Sequence, residues 1–192
     1  MKSYFHSSKI RLASGTFLLL ILIGVFYSQI TSIHEESRMQ SIEVPHTSIS
    51  RAVYEQALPS LDRNPMSLAK FKGKILYIKF WATWCPLCLA GIDDFTALAN
   101  QLSSSSSIAV ISIVTPGLNG EVSKNDFIDW AKARQLSFPI YFDESGTVSK
   151  ELGVLTYPTA VYLGKDGTVM KKTLGDELNA QILHRLNSLE DK

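Results

Sequence analysis

The sequence predicts an α/β domain in which a central β-sheet is flanked by helices. Two apolar runs, residues 75–81 and Ile108–Val114, have the length and composition of strands that are buried on both faces. Each run is followed by a stretch with helical spacing of apolar residues, and the chain closes with a hairpin and one more helix. Strands that alternate with helices in this way predict three layers, with a mixed sheet in the middle.

The predicted elements follow one another along residues 52–192. A weak strand over residues 53–61 comes first, and the turn formers at 62–65 separate it from a short returning strand at 66–68. The more strongly patterned elements are a strand at 75–81, a helix at 86–101, a strand at 108–114, a helix at 123–135 with Ser123 as its N-cap, a strand at 139–142, a short helix at 147–152, a hairpin at 159–170 and a helix at 177–189.

The N-terminus carries an apolar segment outside this domain. Lys2, Lys9 and Arg11 precede a stretch without charged residues, whose length in a helix suffices for a bilayer core of about 30 Å. No small-residue cleavage site follows, so we favour an uncleaved signal-anchor over residues 1–30, with a cleaved secretory signal as the alternative. Residues 31–51 are polar and predict a tether. The basic end would stay in the cytoplasm, so the domain at 52–192 is expected outside it, secreted if the signal is cleaved.

Composition excludes several classes of function. The net charge is +1 and the basic residues are scattered, which gives no reason to expect nucleic acid as a partner. The chain has two cysteines, too few for the disulfide framework of a small secreted protein. Its four histidines form no pair with metal-ligand spacing, so no metal is expected.

The two cysteines, Cys85 and Cys88, form a C-x-x-C motif directly after the predicted strand at 75–81. Disulfide exchange needs one exposed, acidified sulfur and a second sulfur behind it. Cys85 is placed for the first role, because a thiolate at a helix N-terminus faces unpaired N–H groups and the positive end of the helix dipole. Pro86 suits the first helical position, and Cys88 lies almost one turn further on. The motif therefore predicts a redox-active pair that needs no other cofactor.

Two other interpretations of this motif remain open. Half of a zinc site would need two more ligands, which the histidines do not supply at a suitable spacing. An inert structural disulfide across so short a loop would stabilise the fold little. Both are weaker than the redox interpretation, because the aromatic surroundings and the helix start suit a reactive pair.

Residues 80–88 and 152–160 resemble the thioredoxin superfamily, specifically its extracytoplasmic TlpA-like thiol–disulfide oxidoreductases. Residues 85–89, 115–121, 126–130 and 143–146 are similar to the redoxin domain of modular methionine sulfoxide reductases and to surface thioredoxin-like proteins. The resemblance covers about residues 55–190 and implies a thioredoxin-like fold.

The resemblance also implies roles for individual residues. Cys85 would be the attacking thiol and Cys88 the resolving thiol, and Pro158 would be a cis proline, which an X-Pro bond after an aromatic residue also favours. Trp84, Pro86, Tyr157 and Pro158 would bind and orient the substrate.

Two positions depart from the family pattern. Thioredoxins carry a buried Asp where this chain has Lys79, and some TlpA-like reductases carry a Glu where it has Gly91. Lys79 would either favour the thiolate through its charge or extend outward to solvent. The general base for the resolving thiol is therefore unassigned by the sequence.

These observations predict a membrane-tethered reductase that passes electrons to exported proteins, with a methionine sulfoxide reductase as a candidate client. Such a protein needs a membrane electron donor to reduce its disulfide again. The alternatives are an oxidase that forms disulfides in exported proteins and, less favoured, a metal carrier.

Overall fold

The computed structural model describes Ile23, residues 48–62 and residues 64–190. The chain divides into two compact units, Met1–Gln40 and Ser41–Lys192. The second unit contains the sheet and the helices given below. The predicted anchor over residues 1–30 and most of the tether over 31–51 lie outside the described residues. Within the described part of the chain, no helix is long and apolar enough to cross a membrane.

A five-stranded mixed sheet forms the centre of the described domain. Its strands are β1 (Ile75–Phe80), β2 (Ile108–Val114), β3 (Ile140–Phe142), β4 (Thr159–Leu163) and β5 (Val169–Leu174), in the spatial order β3-β2-β1-β4-β5. The first three strands run parallel, β4 is antiparallel to β1, and β5 is antiparallel to β4. The prediction of a central mixed sheet flanked by helices is confirmed.

Helices cover both faces of this sheet. They are α1 (Arg51–Glu55), α2 (Pro86–Ala90), α3 (Ile92–Leu102), α4 (Lys124–Ala133), α5 (Thr147–Glu151) and α6 (Asn179–Glu190), with a 3₁₀ turn at Leu68–Phe71. One apolar cluster receives side chains from α3, α4 and α6, and the other receives side chains from α1, the 3₁₀ turn and α5. The fold therefore has the predicted three layers.

The central strand β1 is buried along its whole length. Ile75 and Tyr77 point into the first cluster, and Leu76, Ile78 and Phe80 point into the second. Because both faces are covered, the strand appears in the sequence as a continuous apolar run rather than an alternating one. This burial explains why its position was predictable.

The predicted strand over residues 53–61 is wrong. Its first part is helix α1, which Ser50 caps by accepting a hydrogen bond from the Val53 N–H at 3.4 Å. The remainder makes two isolated antiparallel bridges, from Leu58 to Met66 and from Ser60 to Tyr141, so the returning strand at 66–68 is one bridge. The apolar side chains of this segment are buried on both faces of the sheet, since Val53 and Leu58 lie in the second cluster and Leu61 packs against the first.

The predicted helix over residues 86–101 is two helices that meet at Gly91. The Gly91 N–H donates to the Leu87 carbonyl at 3.3 Å, and its own carbonyl accepts from the Phe95 N–H at 3.0 Å. The interruption falls at a glycine, which disfavours a helix interior, and the backbone there departs from helical values at φ −93° and ψ 7°. A Cβ at this position would overlap the carboxylate of Asp176. The other strongly patterned elements lie close to their predicted positions, although β5 continues to Leu174.

Candidate active site

The cysteine pair lies at the carboxyl end of the central strand, where open α/β sheets hold their sites. After β1 ends at Phe80, the chain turns, and the Cys85 N–H donates to the Ala82 carbonyl at 3.2 Å. Cys85 is the N-cap residue of α2, and Pro86 occupies the first helical position, as predicted. The strand and the helix together fix the position of the pair.

Cys85 and Cys88 are joined in a disulfide, with their Cα atoms 5.2 Å apart. The Cys88 N–H donates a hydrogen bond to Sγ of Cys85 at 3.2 Å. After reduction the same N–H would stabilise a thiolate on Cys85, because hydrogen bonds to the charged form favour it. The geometry therefore suits Cys85 as the attacking sulfur.

The prediction that Cys85 carries an exposed sulfur is wrong for the disulfide form. Cys85 is 3% exposed and Cys88 is 1% exposed, and both belong to the first apolar cluster. The exposed surface beside them is formed by Trp84 and Leu87, at 52% and 63%. Attack by an incoming thiolate on this disulfide therefore requires access to Sγ of Cys85 to open beside these two side chains.

The loop before β4 forms the second part of the site. The Tyr157–Pro158 peptide bond is cis, as predicted. Thr159 pairs with Phe80, the last residue of β1, so this loop and the cysteine turn share one edge of the sheet. The Trp84 and Tyr157 rings meet edge to face, with centroids 5.9 Å apart. The structure thus brings together two of the residues that the sequence assigned to substrate binding.

A third loop, residues 115–122, contacts this aromatic pair. The hydroxyls of Thr115 and Tyr157 are hydrogen-bonded at 2.9 Å, and Nδ2 of Asn119 donates to the Tyr157 hydroxyl at 3.4 Å. A Cβ on Gly120 would lie 3.5 Å from Nε1 of Trp84. The 115–122 loop therefore holds the tyrosine that precedes the cis proline and lies against the tryptophan that precedes Cys85.

Glu121 of the same loop holds the cysteine turn. The carboxylate is buried, and its two oxygens accept from the Thr83 N–H and the Thr83 hydroxyl, both at 2.6 Å. The Val122 N–H donates to it at 2.8 Å. A buried carboxylate requires such donors, so these bonds fix the backbone two residues before Cys85. Glu121 was among the residues that carried the family resemblance, but its contact with Thr83 joins distant parts of the chain and has no periodic signal.

Lys79 lies below the site and is buried, so the interpretation that it extends outward to solvent is wrong. Its Nζ is 2.8 Å from Oδ1 of Asp176, and it lies 5.3 Å from the centre of the Phe95 ring. The Lys79 side chain is 6% exposed and that of Asp176 is 31% exposed. Sequence reasoning missed Asp176, because it lies 97 positions from its partner in a connection with no motif.

The connection that carries Asp176 is anchored on both sides. The Gly175 N–H donates to the Pro158 carbonyl at 2.9 Å. Glu177 is buried, accepts from the hydroxyls of Tyr162 at 2.8 Å and Thr173 at 2.6 Å, and lies 2.9 Å from Nε of Arg185. Asp176 is therefore held between the cis-proline loop and a buried polar cluster.

This fold, with a C-x-x-C disulfide at the carboxyl end of its central strand beside a cis proline, defines a thioredoxin-like thiol–disulfide oxidoreductase of the TlpA type. The chain belongs to the AhpC/TSA family, which matches residues 49–172.

The chain is similar to several known proteins, of which two have names that belong to this class. An uncharacterized protein of Haemophilus influenzae is 37% identical over 128 residues, which cover 65% of this chain and 78% of that protein. The sporulation thiol-disulfide oxidoreductase A of Bacillus subtilis is 32% identical over 105 residues, covering 54% and 61% respectively. The crystal structure of an exposed lipoprotein thioredoxin from Streptococcus pneumoniae has a TM-score of 0.66 and 34% identity, covering 70% of this chain and 98% of that one. The predicted enzyme class is confirmed.

Proposed function

We propose that this protein is a membrane-tethered, extracytoplasmic oxidoreductase that reduces disulfides of exported proteins. The observation that carries the proposal is the Cys85–Cys88 disulfide at the edge where the cysteine turn and the cis-proline loop meet. The pair itself is the redox group, so the proposal includes no other cofactor. The fold and the similar proteins support the enzyme class. The direction of electron flow, the location of the protein and its clients are what we propose here.

The surface around the disulfide suits a protein client. Trp84, Leu87 and Leu155 are 52%, 63% and 91% exposed, and they lie on the cysteine turn, α2 and the cis-proline loop. Large apolar side chains at this exposure favour contact with another protein. A client segment that covers them would bring its own disulfide to the edge of the site.

The proposed location rests on the N-terminal sequence. Residues 1–30 would anchor the chain, and residues 31–51 would keep the domain within reach of the membrane face. The similar pneumococcal protein is an exposed lipoprotein. The two cysteines of this chain lie at 85 and 88, so attachment here would depend on the apolar segment rather than on a lipidated cysteine. Tethering raises the effective concentration of clients at the membrane.

Reduction of clients requires a supply of electrons. Each turnover oxidises the dithiol to the Cys85–Cys88 disulfide, and a membrane donor would reduce it again. The resemblance to redoxin domains of methionine sulfoxide reductases makes such a reductase a candidate client.

Equilibrium titration against glutathione tests the direction. A reductase should have a potential close to that of thioredoxin, about −270 mV, and an oxidase one close to that of DsbA, about −120 mV. A value near the second would overturn the reductase proposal and favour the alternative of disulfide formation.

Trapping tests the clients. The Cys88→Ser variant should hold a client in a mixed disulfide with Cys85, and mass spectrometry of that complex should identify an exported protein. The variant with both cysteines replaced by Ser is the matched control. Equal recovery from both variants would contradict the proposal.

Fractionation tests the tether. The full chain should remain with membranes after a high-salt wash, and a chain that begins at residue 48 should be released. Release of both chains would overturn the anchored form of the proposal.

A further inference from the structure

We propose that Asp176 accepts the proton of Cys88 when this thiol resolves the mixed disulfide, and that Lys79 is the positioning residue for its carboxylate. The inference rests on the dithiol chemistry of the proposed function in its reducing direction; in the oxidising direction the same carboxyl group would return the proton to the Cys88 sulfur as it leaves. It assigns the group that the sequence leaves unassigned.

The Asp176 carboxylate lies beside Gly91, the C-cap residue of the helix that carries Cys88. Oδ2 of Asp176 occupies the space where a Cβ of Gly91 would stand. Gly91 comes three residues after Cys88, and positions three apart around a helical turn are neighbours on one face, with Cβ atoms about 5–6 Å apart. The Asp176 carboxylate therefore lies on the side of α2 that carries Cys88.

Asp176 is partly exposed to solvent, whereas Cys88 is buried. Cys88 is 1% exposed, so its proton has no direct route to water. The Asp176 side chain is 31% exposed and lies on the connection whose Gly175 N–H bonds to the carbonyl of Pro158. A carboxylate in this place can take a proton from a buried thiol and exchange it with solvent.

Other ionisable groups near the pair are less suited to this role. Glu177 is occupied by the hydroxyls of Tyr162 and Thr173 and by Arg185. Glu121 is occupied by Thr83 and Val122.

The groups that face Asp176 itself are Lys79 and Tyr77, both from β1, together with Glu177 from its own connection. Burial raises the pKa of Tyr77 well above its usual value, and the charges of Glu177 and Asp176 add to the shift. Tyr77 therefore remains a phenol at neutral pH, and Nζ of Lys79 is already engaged as the donor to Oδ1 of Asp176 at 2.8 Å.

The proposed exchange forms two S–S bonds and breaks two. The Cys85 thiolate attacks one sulfur of a client disulfide, which forms the mixed disulfide and releases the first client thiolate. Asp176 takes the proton of Cys88, and the Cys88 thiolate attacks Sγ of Cys85. The bond between Cys85 and the client breaks, the second client thiolate leaves and is protonated, and two electrons have passed from the dithiol to the client.

Lys79 keeps the carboxylate in this position. The 2.8 Å ion pair holds Oδ1, and the Nζ group is itself fixed over the Phe95 ring. Because Oδ1 is engaged, the other oxygen is the one directed toward Gly91. This arrangement leaves one carboxylate oxygen on the side of Cys88.

The test separates attack from resolution. Reduced full-length protein is mixed with excess dithiobis(nitrobenzoate), and the release of thionitrobenzoate is followed in a stopped-flow instrument. The first equivalent reports attack by Cys85, and the second reports resolution by Cys88. In Asp176→Asn the first phase should stay within about twofold, and the second should slow by about 100-fold, the lower range for loss of general-base catalysis. The slowed phase should rise tenfold per pH unit, because hydroxide replaces the base.

Four further variants separate proton transfer from structural damage. Asp176→Glu retains a carboxylate and should recover part of the rate. Asp93→Asn, an equal charge change at an exposed position of α3, should leave both phases unchanged. In Lys79→Met/Asp176→Asn no buried ammonium is left unpaired, and the second phase should stay slow. Gly91→Ala, which displaces the carboxylate, should slow the same phase.

The inference is overturned if the second phase of Asp176→Asn stays within about twofold of the unmodified protein across the pH range. It is also overturned if Lys79→Met/Asp176→Asn recovers the original rate, because the stranded Lys79 charge would then explain the defect. The unmodified protein supplies the separate check. Absence of a second equivalent from it would refute the dithiol chemistry itself.

Discussion

At the residue scale, buried polar side chains outside the C-x-x-C motif hold the site in place. Glu121 fixes the turn before Cys85, and the pair of Lys79 and Asp176 lies beneath the helix that follows it. Buried charges are expensive unless they are paired and hydrogen-bonded. Their presence at the site, with partners on separate loops, means that the backbone of the motif depends on tertiary contacts.

Glu121→Gln tests the contact with the cysteine turn. In this variant an amide NH₂ group replaces one of the two carboxylate oxygens. At least one of the buried donors, on Thr83 or Val122, would then lose its acceptor. We expect the free energy of unfolding to fall by about 1–3 kcal/mol. Urea denaturation of the oxidised protein measures the change.

Glu144→Gln is the matched control. Glu144 forms an exposed ion pair with Lys124 at 2.8 Å, and such pairs contribute little. Its free energy of unfolding should therefore change by less than about 0.5 kcal/mol. Equal losses in the two variants would show that the Glu121 contacts are not special.

At the scale of elements, helices and strands with a strong local signal were predicted correctly, and those that depend on tertiary contacts were not. β1 and β2 lie where the apolar runs predicted them, because burial on both faces leaves a continuous pattern. The helix after the cysteines was predicted as one element, and it is two that meet at Gly91, where the backbone departs from helical values. The predicted strand over residues 53–61 is wrong because apolar side chains can be buried by bridges and a short helix as well as by a strand.

The N-cap of α4 gives a prediction at this scale. Ser123 accepts from the Asp126 N–H at 3.3 Å and donates to the Asp126 carboxylate at 2.6 Å. Ser123→Ala should lower the free energy of unfolding by about 1 kcal/mol, because it leaves an N–H of the first turn without its acceptor. Thermal and urea unfolding give the value.

Ser103→Ala is a suitable comparison, since Ser103 follows α3 and its hydroxyl bonds to the Asn100 carbonyl in an exposed position. A change of less than about 0.5 kcal/mol is expected there. If Ser123→Ala has no larger effect, the cap does not stabilise α4.

At the scale of the whole molecule, buried tyrosines predict how stability depends on pH. Burial is the main cause that raises the pKa values of Tyr77 and Tyr162; the charge of Glu177 raises both further, and the neighbouring Tyr77 adds to the rise at Tyr162. Both phenols stay protonated in the folded chain at a pH where the unfolded chain ionises, near about 10. Their contribution to stability is therefore complete below that pH and is lost as the pH rises.

The free energy of unfolding should fall above about pH 10 by up to about 1.4 kcal/mol per pH unit for each of these two tyrosines. Urea denaturation at a series of alkaline pH values measures the slope, and absorbance of tyrosinate reports ionisation in the folded protein. Tyr77→Phe should reduce the slope. A slope that is unchanged in this variant would contradict the assignment to Tyr77.

The sequence by itself determined the class of fold, the redox pair and the cis proline. Each is encoded over a few neighbouring residues, by an apolar run, by Cys85 and Cys88 at a helix start, and by an aromatic residue before Pro158. The tertiary structure alone decided the burial of Cys85, the clamp of Glu121 on Thr83 and the placement of Asp176 beneath Gly91. These are contacts between loops far apart in the chain, and a polar residue in a loop has the same local signature whether it faces water or a buried partner.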